Sequence, residues 1–428
     1  MAVAALSSVS SAVHSALQFF DALFDGLSPR GFDIRLWDGT LWSRVPNPRF
    51  TRIFHRPGAL RSMFSSMSER AFAEGFMYGD FSVEGDLQSI FAVSDFLLAR
   101  DFSLAEKLHL RKLLSRIPSG DSSHAPHRDP ERSGAIHSLE RDRRAVTYHY
   151  NLSNDFYSLW LDPRMVYSCG YFTSPATSLE AAQTAKLDLI CRKLRLRPGE
   201  RFLDIGCGWG GLILHAAQRY GVHALGVTLS EAQAEIARQR ILDAGLSDRC
   251  RVEVCDYRDL DASHPFDKLA SVGMFEHVGE SRLPEYFQRA WNLLRCGGTF
   301  LNHGIAVSAL FRRRGPSFID KYVFPDGELV PIHTTVRIAQ SIGFEVRDLE
   351  NLREHYTLTL QHWLRRLEAN AERARQLVSE SAYRIWRLYL AGSAHGFRTG
   401  RLELHQLLLT KPDSGRTNLP LTRADWYA

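Results

Sequence analysis

No apolar run approaches the ~18 residues that a membrane-spanning helix needs, so any membrane contact is expected to be peripheral. Cysteine is scarce: the 428 residues hold six, Cys169, Cys191, Cys207, Cys250, Cys255 and Cys296, all in one central stretch and with no CxxC. That excludes a disulfide scaffold and a zinc ribbon, and implies a reducing compartment. The opening MAVAALSSVSSAVHSALQFFDALF lacks the basic start of a secretory signal. Neither sign of charge dominates, since 53 Lys and Arg against 48 Asp and Glu leave +5. This mild bias favours an anionic partner, leaving nucleic acid, an anionic membrane and an acidic small molecule open. No internal repeat is evident. What is present, 44% hydrophobic and 24% charged residues, is the balance of a globular chain long enough for two or three domains, with a cytosolic enzyme as the default class.

The opening places Leu17, Phe20, Leu23 and Phe24 at helical spacing, which predicts an amphipathic helix facing either a core or a lipid surface. FDIRLW and LWSRV alternate around Asp38-Gly39, a hairpin signal. FTRIFHRPG reads as a strand ending at Pro57-Gly58, followed by helical segments from about Ala59 to Ile117 that FMYGDFSVEGDL interrupts. IPSGDSSHAPHRDPERSG is rich in Pro, Ser and Gly without apolar periodicity and marks a boundary. The predicted organisation is an accessory N-terminal domain over 1–116, a linker over 117–140 and a second domain over 141–428. His124 and His127 in the linker have no companion cysteine or second His pair, so a solvated linker is preferred and no metal is expected. Beyond Arg141, RFLDIG, VHALGVTL, RVEVCD, KLASVGMF and GGTFLNHGIAV alternate with helical segments. The pattern predicts an α/β domain with an open, mostly parallel sheet whose ligands gather at the strands' carboxyl ends.

LDIGCGWGG runs a strand into a glycine-rich turn, and Gly206, Gly208 and Gly211 satisfy GxGxxG. A nicotinamide dinucleotide site should carry an acid at the end of the next strand, yet GVTLSEAQ puts Thr228 there. Asp204, two residues before the first glycine, is instead placed to meet a cationic amino group. The pattern D-x-G-x-G-x-G fits S-adenosylmethionine, whose methionine end carries that amine and needs no pyrophosphate cradle.

HYNLSNDFYSLWLDPRMVYSCGYF, LDIGCGWGG, GVTLSEAQ, SVGMFEHVG, FLNHGI and FIDKYVFPDGELV, six blocks in order, resemble the cyclopropane-fatty-acyl-phospholipid synthase family. The similarity is strong over about 140–410, and FMYGDFSVEGDL more loosely resembles the family's N-terminal lipid-binding domain. The resemblance implies a Rossmann-like class I methyltransferase domain with a smaller α/β lipid-binding domain. The implied reaction is transfer of a methylene group from S-adenosylmethionine to the cis double bond of an unsaturated acyl chain in a phospholipid. It also implies a cytoplasmic enzyme held peripherally on a membrane surface, with no nucleic-acid partner and with a homodimer as a possible assembly. Alternatives on the same fold are a methyl- or methylene-branching fatty-acyl methyltransferase and a small-molecule amine methyltransferase.

An alkene is a weak nucleophile, so the site must hold it against the sulfonium methyl in a dry interior. Methyl transfer leaves a carbocation, and ring closure needs a base beside the new methyl group. The resemblance implies that the base is a bound bicarbonate, gripped by Cys169, Glu276, His303 and Tyr356, the last in the less distinctive REHYTLTL. Plainer roles exist: Cys169 as a small buried residue, Glu276 as a helix cap, His277 as a structural neighbour. By motif, Tyr167, Ser168 and Asp204 fall at the cofactor's methionine end and Gly206, Cys207 and Gly208 in the turn. Thr228, Leu229, Ser230 and Gln233 surround the ribose, with Tyr257 and Arg258 near the adenine. Asn151 stands where the family usually has an acid, a full charge's difference that bears on the product rather than the family. For membrane access, the sequence offers Lys107, Arg111, Lys112 and Arg116, together with ARQLVSESAYRIWRLYLAG near the C-terminus.

Overall fold

The computed structural model describes residues 2–28, 31–66, 68–119, 152–310, 317–325, 327–417 and 419–427. Asn151, His124 and His127 and most of the expected linker lie outside the described residues. The chain divides into two compact units, one made of Met1–Asp129, Pro316–Val323 and Ser379–His395, the other of Pro130–Gly315, Phe324–Val378 and Gly396–Ala428. A single cut at 117–140 does not provide for the two late segments in the first unit.

In the first unit, β1 (Phe32–Arg35), β2 (Leu41–Trp42), β3 (Phe50–Phe54) and β4 (Phe81–Gly85) form a sheet in the order β2-β1-β3-β4. The Asp38-Gly39 hairpin is present: Gly39 adopts φ +88°, and the Asp38 carboxylate accepts the Thr40 N–H at 3.0 Å. The segment FMYGDFSVEGDL supplies β4, which pairs antiparallel with β3. The opening helix Ala2–Leu23 buries Ala12, Ala16, Phe19, Phe20 and Leu23, and Phe24 follows just past its end. From Ala12 onward its apolar face goes to the core. Leu17 is only half-buried, while Phe19, absent from the expected stripe, is inside. Phe20 touches Phe24, Trp42, Phe54 and Phe64, with ring centroids 5.8–6.2 Å apart. The C-terminal segment offered for membrane access is likewise drawn inward, because Tyr383, Trp386, Tyr389 and Leu390 are buried.

The second unit is built on a seven-stranded sheet, ordered β10-β11-β9-β8-β5-β6-β7. Its strands are β5 (Arg201–Ile205), β6 (His223–Thr228), β7 (Cys250–Val254), β8 (Phe266–Val272), β9 (Leu294–Val307), β10 (Glu345–Asn351) and β11 (Leu402–Thr410). The five strands expected from the sequence are mutually parallel. The antiparallel pair β10 and β11 closes the edge beyond β9. Clusters around Phe202, Ile213 and Ile190 and around Leu269, Phe287 and Phe300 form its hydrophobic core. Among the described residues no helix is long and apolar enough to cross a membrane.

Candidate active site

The carboxyl ends of β5, β6 and β8 open onto one pocket. Tyr167, Ser168, Asp204, Gly206, Cys207, Gly208, Thr228, Leu229, Gln233, Tyr257 and Arg258 all line it, eleven of the twelve positions read from the sequence as cofactor-binding. Ser230 does not. It caps the helix Glu231–Asp243, its hydroxyl accepting the Gln233 N–H at 3.4 Å.

The turn after β5 is fixed from both sides. Gly206 and Cys207 N–H both bond to the Val227 carbonyl at 2.9 Å. Gly206 has φ +83°, and a Cβ there would lie 2.9 Å from Met274 Cβ, so only glycine fits. Asn154, in the segment before the pocket, accepts the Trp209 indole N–H at 2.8 Å and donates to the Ala232 carbonyl at 3.2 Å, tying that segment to the turn. At the far end Gln233 accepts the Thr228 hydroxyl at 2.9 Å, and Arg258 forks onto Asp256 at 2.7 and 2.8 Å.

The opposite end of the pocket holds buried charge. Asp204 is 2% exposed, and its Oδ1 has no hydrogen-bond partner among the described residues. Burial pushes its carboxyl up to about 7, against the pull of Lys186. Lys186 and Gln183, both unnoticed in the sequence, come from the helix Leu179–Leu194. Gln183 donates to the Ser168 carbonyl at 2.8 Å and Lys186 to the Ser168 hydroxyl at 2.8 Å. No sequence signal singled them out: Lys186 shares with Ala182, Leu189 and Lys193 a helical stripe whose burial only the fold reveals.

None of Cys169, Glu276, His303 and Tyr356 borders this pocket; Cys169, His303 and Tyr356 are buried, and Glu276 is half-buried with its Oε2 shielded from solvent. Glu276 accepts the Ile305 N–H of β9 at 2.7 Å through Oε1, while Oε2 has no partner among the described residues. Burial pushes it up to about 7. His303 on β9 has Nδ1 3.2 Å from Gln406 Nε2 of β11, and Nε2 unpartnered among the described residues. Burial and the cations Lys186 and Lys193 drive its pKa well down, so the ring is neutral. Cys169 points its thiol at the Gly170 carbonyl, 3.2 Å away, and burial pushes the thiol far up, so it is no thiolate nucleophile.

Tyr356 is held near the strip of chain from Asp162 to Gly170 through the helix Arg353–Ala369, whose Thr359 hydroxyl accepts the Gly170 N–H at 3.0 Å. The ring of Tyr356 packs on Phe397 at 4.6 Å and Trp363 at 6.0 Å. Tyr157, Trp160, Tyr167 and Trp363 form an aromatic wall with centroids 5.3–5.8 Å apart. His277, read as a structural neighbour of Glu276, is the one of the two that lines the pocket. The short turn Phe275–His277 sends the adjacent side chains to different places.

The site therefore combines a pocket bearing buried charges of both signs with an aromatic interior in which Glu276 Oε2 and His303 Nε2 have no hydrogen-bond partner among the described residues. A family model described as mycolic acid cyclopropane synthetase matches residues 137–407. A probable fatty acid methyltransferase from Pseudomonas putida is 41% identical over 399 residues, 92% of this chain and 95% of that protein. Tuberculostearic acid methyltransferase UfaA1 of Mycobacterium tuberculosis is 34% identical over 387 residues, 87% of this chain and 86% of that protein. Among solved structures, mycolic acid cyclopropane synthase CmaA1 complexed with SAH and CTAB superposes with a TM-score of 0.60 at 36% identity, covering 63% of this chain and 98% of that one. The sheet order, with its antiparallel strand β11 between β9 and β10, is thus that of a class I methyltransferase. With that fold and a match over most of its length, the chain belongs to the mycolic acid cyclopropane synthetase family.

Proposed function

We propose that this chain transfers a one-carbon unit from S-adenosylmethionine to the cis double bond of unsaturated acyl chains in phospholipids, closing a cyclopropane ring. The observation that carries the reading is Glu276 Oε2, a carboxyl oxygen shielded from solvent beside the pocket and without a partner among the described residues. The donor is supported by the pocket itself, whose orphaned Asp204 oxygen suits an ammonium group. It is supported also by CmaA1, a relative solved with SAH. When bound, S-adenosylmethionine supplies an electrophilic methyl group on a sulfonium.

The chain's own residues do the rest. Gly206, Cys207 and Gly208 give the donor a close backbone approach, and Thr228 and Gln233 offer hydroxyl and amide groups to a ribose. The aromatic wall excludes water and presents ring faces to positive charge developing on the acyl chain. Near neutral pH Glu276 exchanges a proton readily, the property required of a group that helps strip one from the new methyl. Neutral His303, with Gln406 donating to Nδ1, presents an Nε2–H donor. With the Cys169 thiol, the Tyr356 hydroxyl and Glu276, it makes a donor set suited to a small anion. Bicarbonate in that position supplies a carboxylate-like base. Peripheral attachment to an anionic membrane surface in the cytoplasm completes the reading, and the exposed Lys107, Arg111, Lys112 and Arg116 suit it.

A second reading, methyl or methylene branching of the acyl chain, is favoured by the relatives that align over most of this chain, which carry the name methyltransferase. It uses the same residues up to the fate of the cation. A soluble amine acceptor is disfavoured, because amine methylation leaves no carbocation to deprotonate and gives Glu276 nothing to do. The experiment is incubation of the full chain with S-adenosylmethionine and, separately, unsaturated phospholipid vesicles, free unsaturated fatty acid and small amines, followed by mass spectrometry. Gain of one carbon in the phospholipid acyl chains supports the proposal; transfer confined to the free acid or the amines contradicts it.

A further inference from the structure

Two buried ions of opposite sign border the cofactor pocket without pairing to each other. Lys186 is 1% exposed, its only hydrogen-bond partner among the described residues is the Ser168 hydroxyl at 2.8 Å, and no described carboxylate lies within ion-pair distance. Asp204 is as deeply buried, with Oδ1 unpartnered among the described residues. Leaving a buried cation and a buried anion each without a full complement of partners is costly, and natural interiors avoid it unless something else completes the pairs. Both residues line the pocket with Tyr167 and Ser168, and Lys186 touches the Ser168 hydroxyl there.

A ligand group that completes both pairs at once must itself carry both charges, as the α-amino acid end of S-adenosylmethionine does. We propose that Lys186, with the Ser168 hydroxyl, binds the cofactor's carboxylate while Asp204 takes its ammonium. This rests on the reading that the pocket takes S-adenosylmethionine, and adds a binding residue that the glycine-turn motif does not contain. The placement has a local cause. Gln183, one turn earlier on the same helix, donates to the Ser168 and Val166 carbonyls at 2.8 and 3.3 Å, which fixes the strip against the helix and sets the Ser168 hydroxyl over the lysine. Besides Asp204 from β5, the groups acting on Lys186 are Asp162 and Cys169 from the strip and Cys191 on its own helix. Burial lowers its pKa to about 8, which leaves the ammonium mostly protonated at pH 7.

The test is calorimetric binding to the full chain at pH 7, comparing S-adenosylmethionine with its decarboxylated analogue, which keeps the amine and lacks the carboxylate. The unmodified chain should prefer the complete cofactor. Lys186→Met should weaken S-adenosylmethionine about tenfold or more, the range for losing a buried charge-assisted hydrogen bond, and leave the decarboxylated analogue within about twofold. Ser168→Ala, a smaller change that serves if Lys186→Met does not fold, should weaken only the complete cofactor, by severalfold. Equal weakening of both ligands, or of neither, overturns the assignment and leaves the cofactor reading standing. Binding of neither ligand by the unmodified chain overturns the cofactor reading itself, and the assignment with it.

Discussion

Glu276 shows how one residue joins stability to chemistry. Its carboxyl rises from 4.5 to about 7 because burial penalises the anion more than the Ile305 N–H rewards it. The folded chain therefore holds a proton that the unfolded chain has released, so stability is highest below about pH 4.5 and falls as pH climbs towards 7. At about 1.4 kcal/mol per pK unit the cost at pH 8 is on the order of 3 kcal/mol. Glu276→Gln should thus melt higher than the unmodified chain at pH 8, match it near pH 4, and form little product. A lower melting point at pH 8 would mean that the anion is stabilised by a partner. At Gly206, positive φ and the 2.9 Å approach to Met274 act together. Gly206→Ala should cost about 1–3 kcal/mol of stability and weaken cofactor binding, read by thermal denaturation and calorimetry.

At the scale of elements, legibility followed periodicity. The parallel strands ending in Ile205, Thr228, Val254 and Val272 stood out as apolar runs between helical segments, and the glycine turn followed from its letters. The strand β11, with its uninterrupted QLLLT end, and the more polar β10 escaped notice because no helix-bounded alternation frames them. With β11 went Gln406, whose contact with His303 depends on register across 103 residues of sequence. Lys186 was hidden for another reason: a lysine in a helix reads as solvated until the neighbouring stripe is seen to be buried. Conversely, the opening helix was legible as amphipathic, but only packing decided that its face belongs to a core. Phe20→Ala in that helix should cost about 3–5 kcal/mol, because five aromatic rings lose a fully buried partner. Limited proteolysis should then show the first unit opening before the second.

Over the whole molecule, the family match covers 137–407, while the relative from Pseudomonas putida aligns over 92% of the chain. The similarity to that probable fatty acid methyltransferase therefore extends beyond the family match into the accessory unit. The sequence blocks from HYNLSNDFY to FIDKYVF carried the family by their letters and their order along the chain. The product was not legible, because cyclopropane and branched chains share every step up to the fate of one proton. The measurement that reaches it is mass spectrometry of acyl chains after incubating the full chain with unsaturated phospholipid vesicles and S-adenosylmethionine fully deuterated at the methyl group. The account predicts a gain of one carbon retaining two deuterons, in a product that resists hydrogenation. Retention of all three deuterons, or no transfer to the lipid, would contradict it.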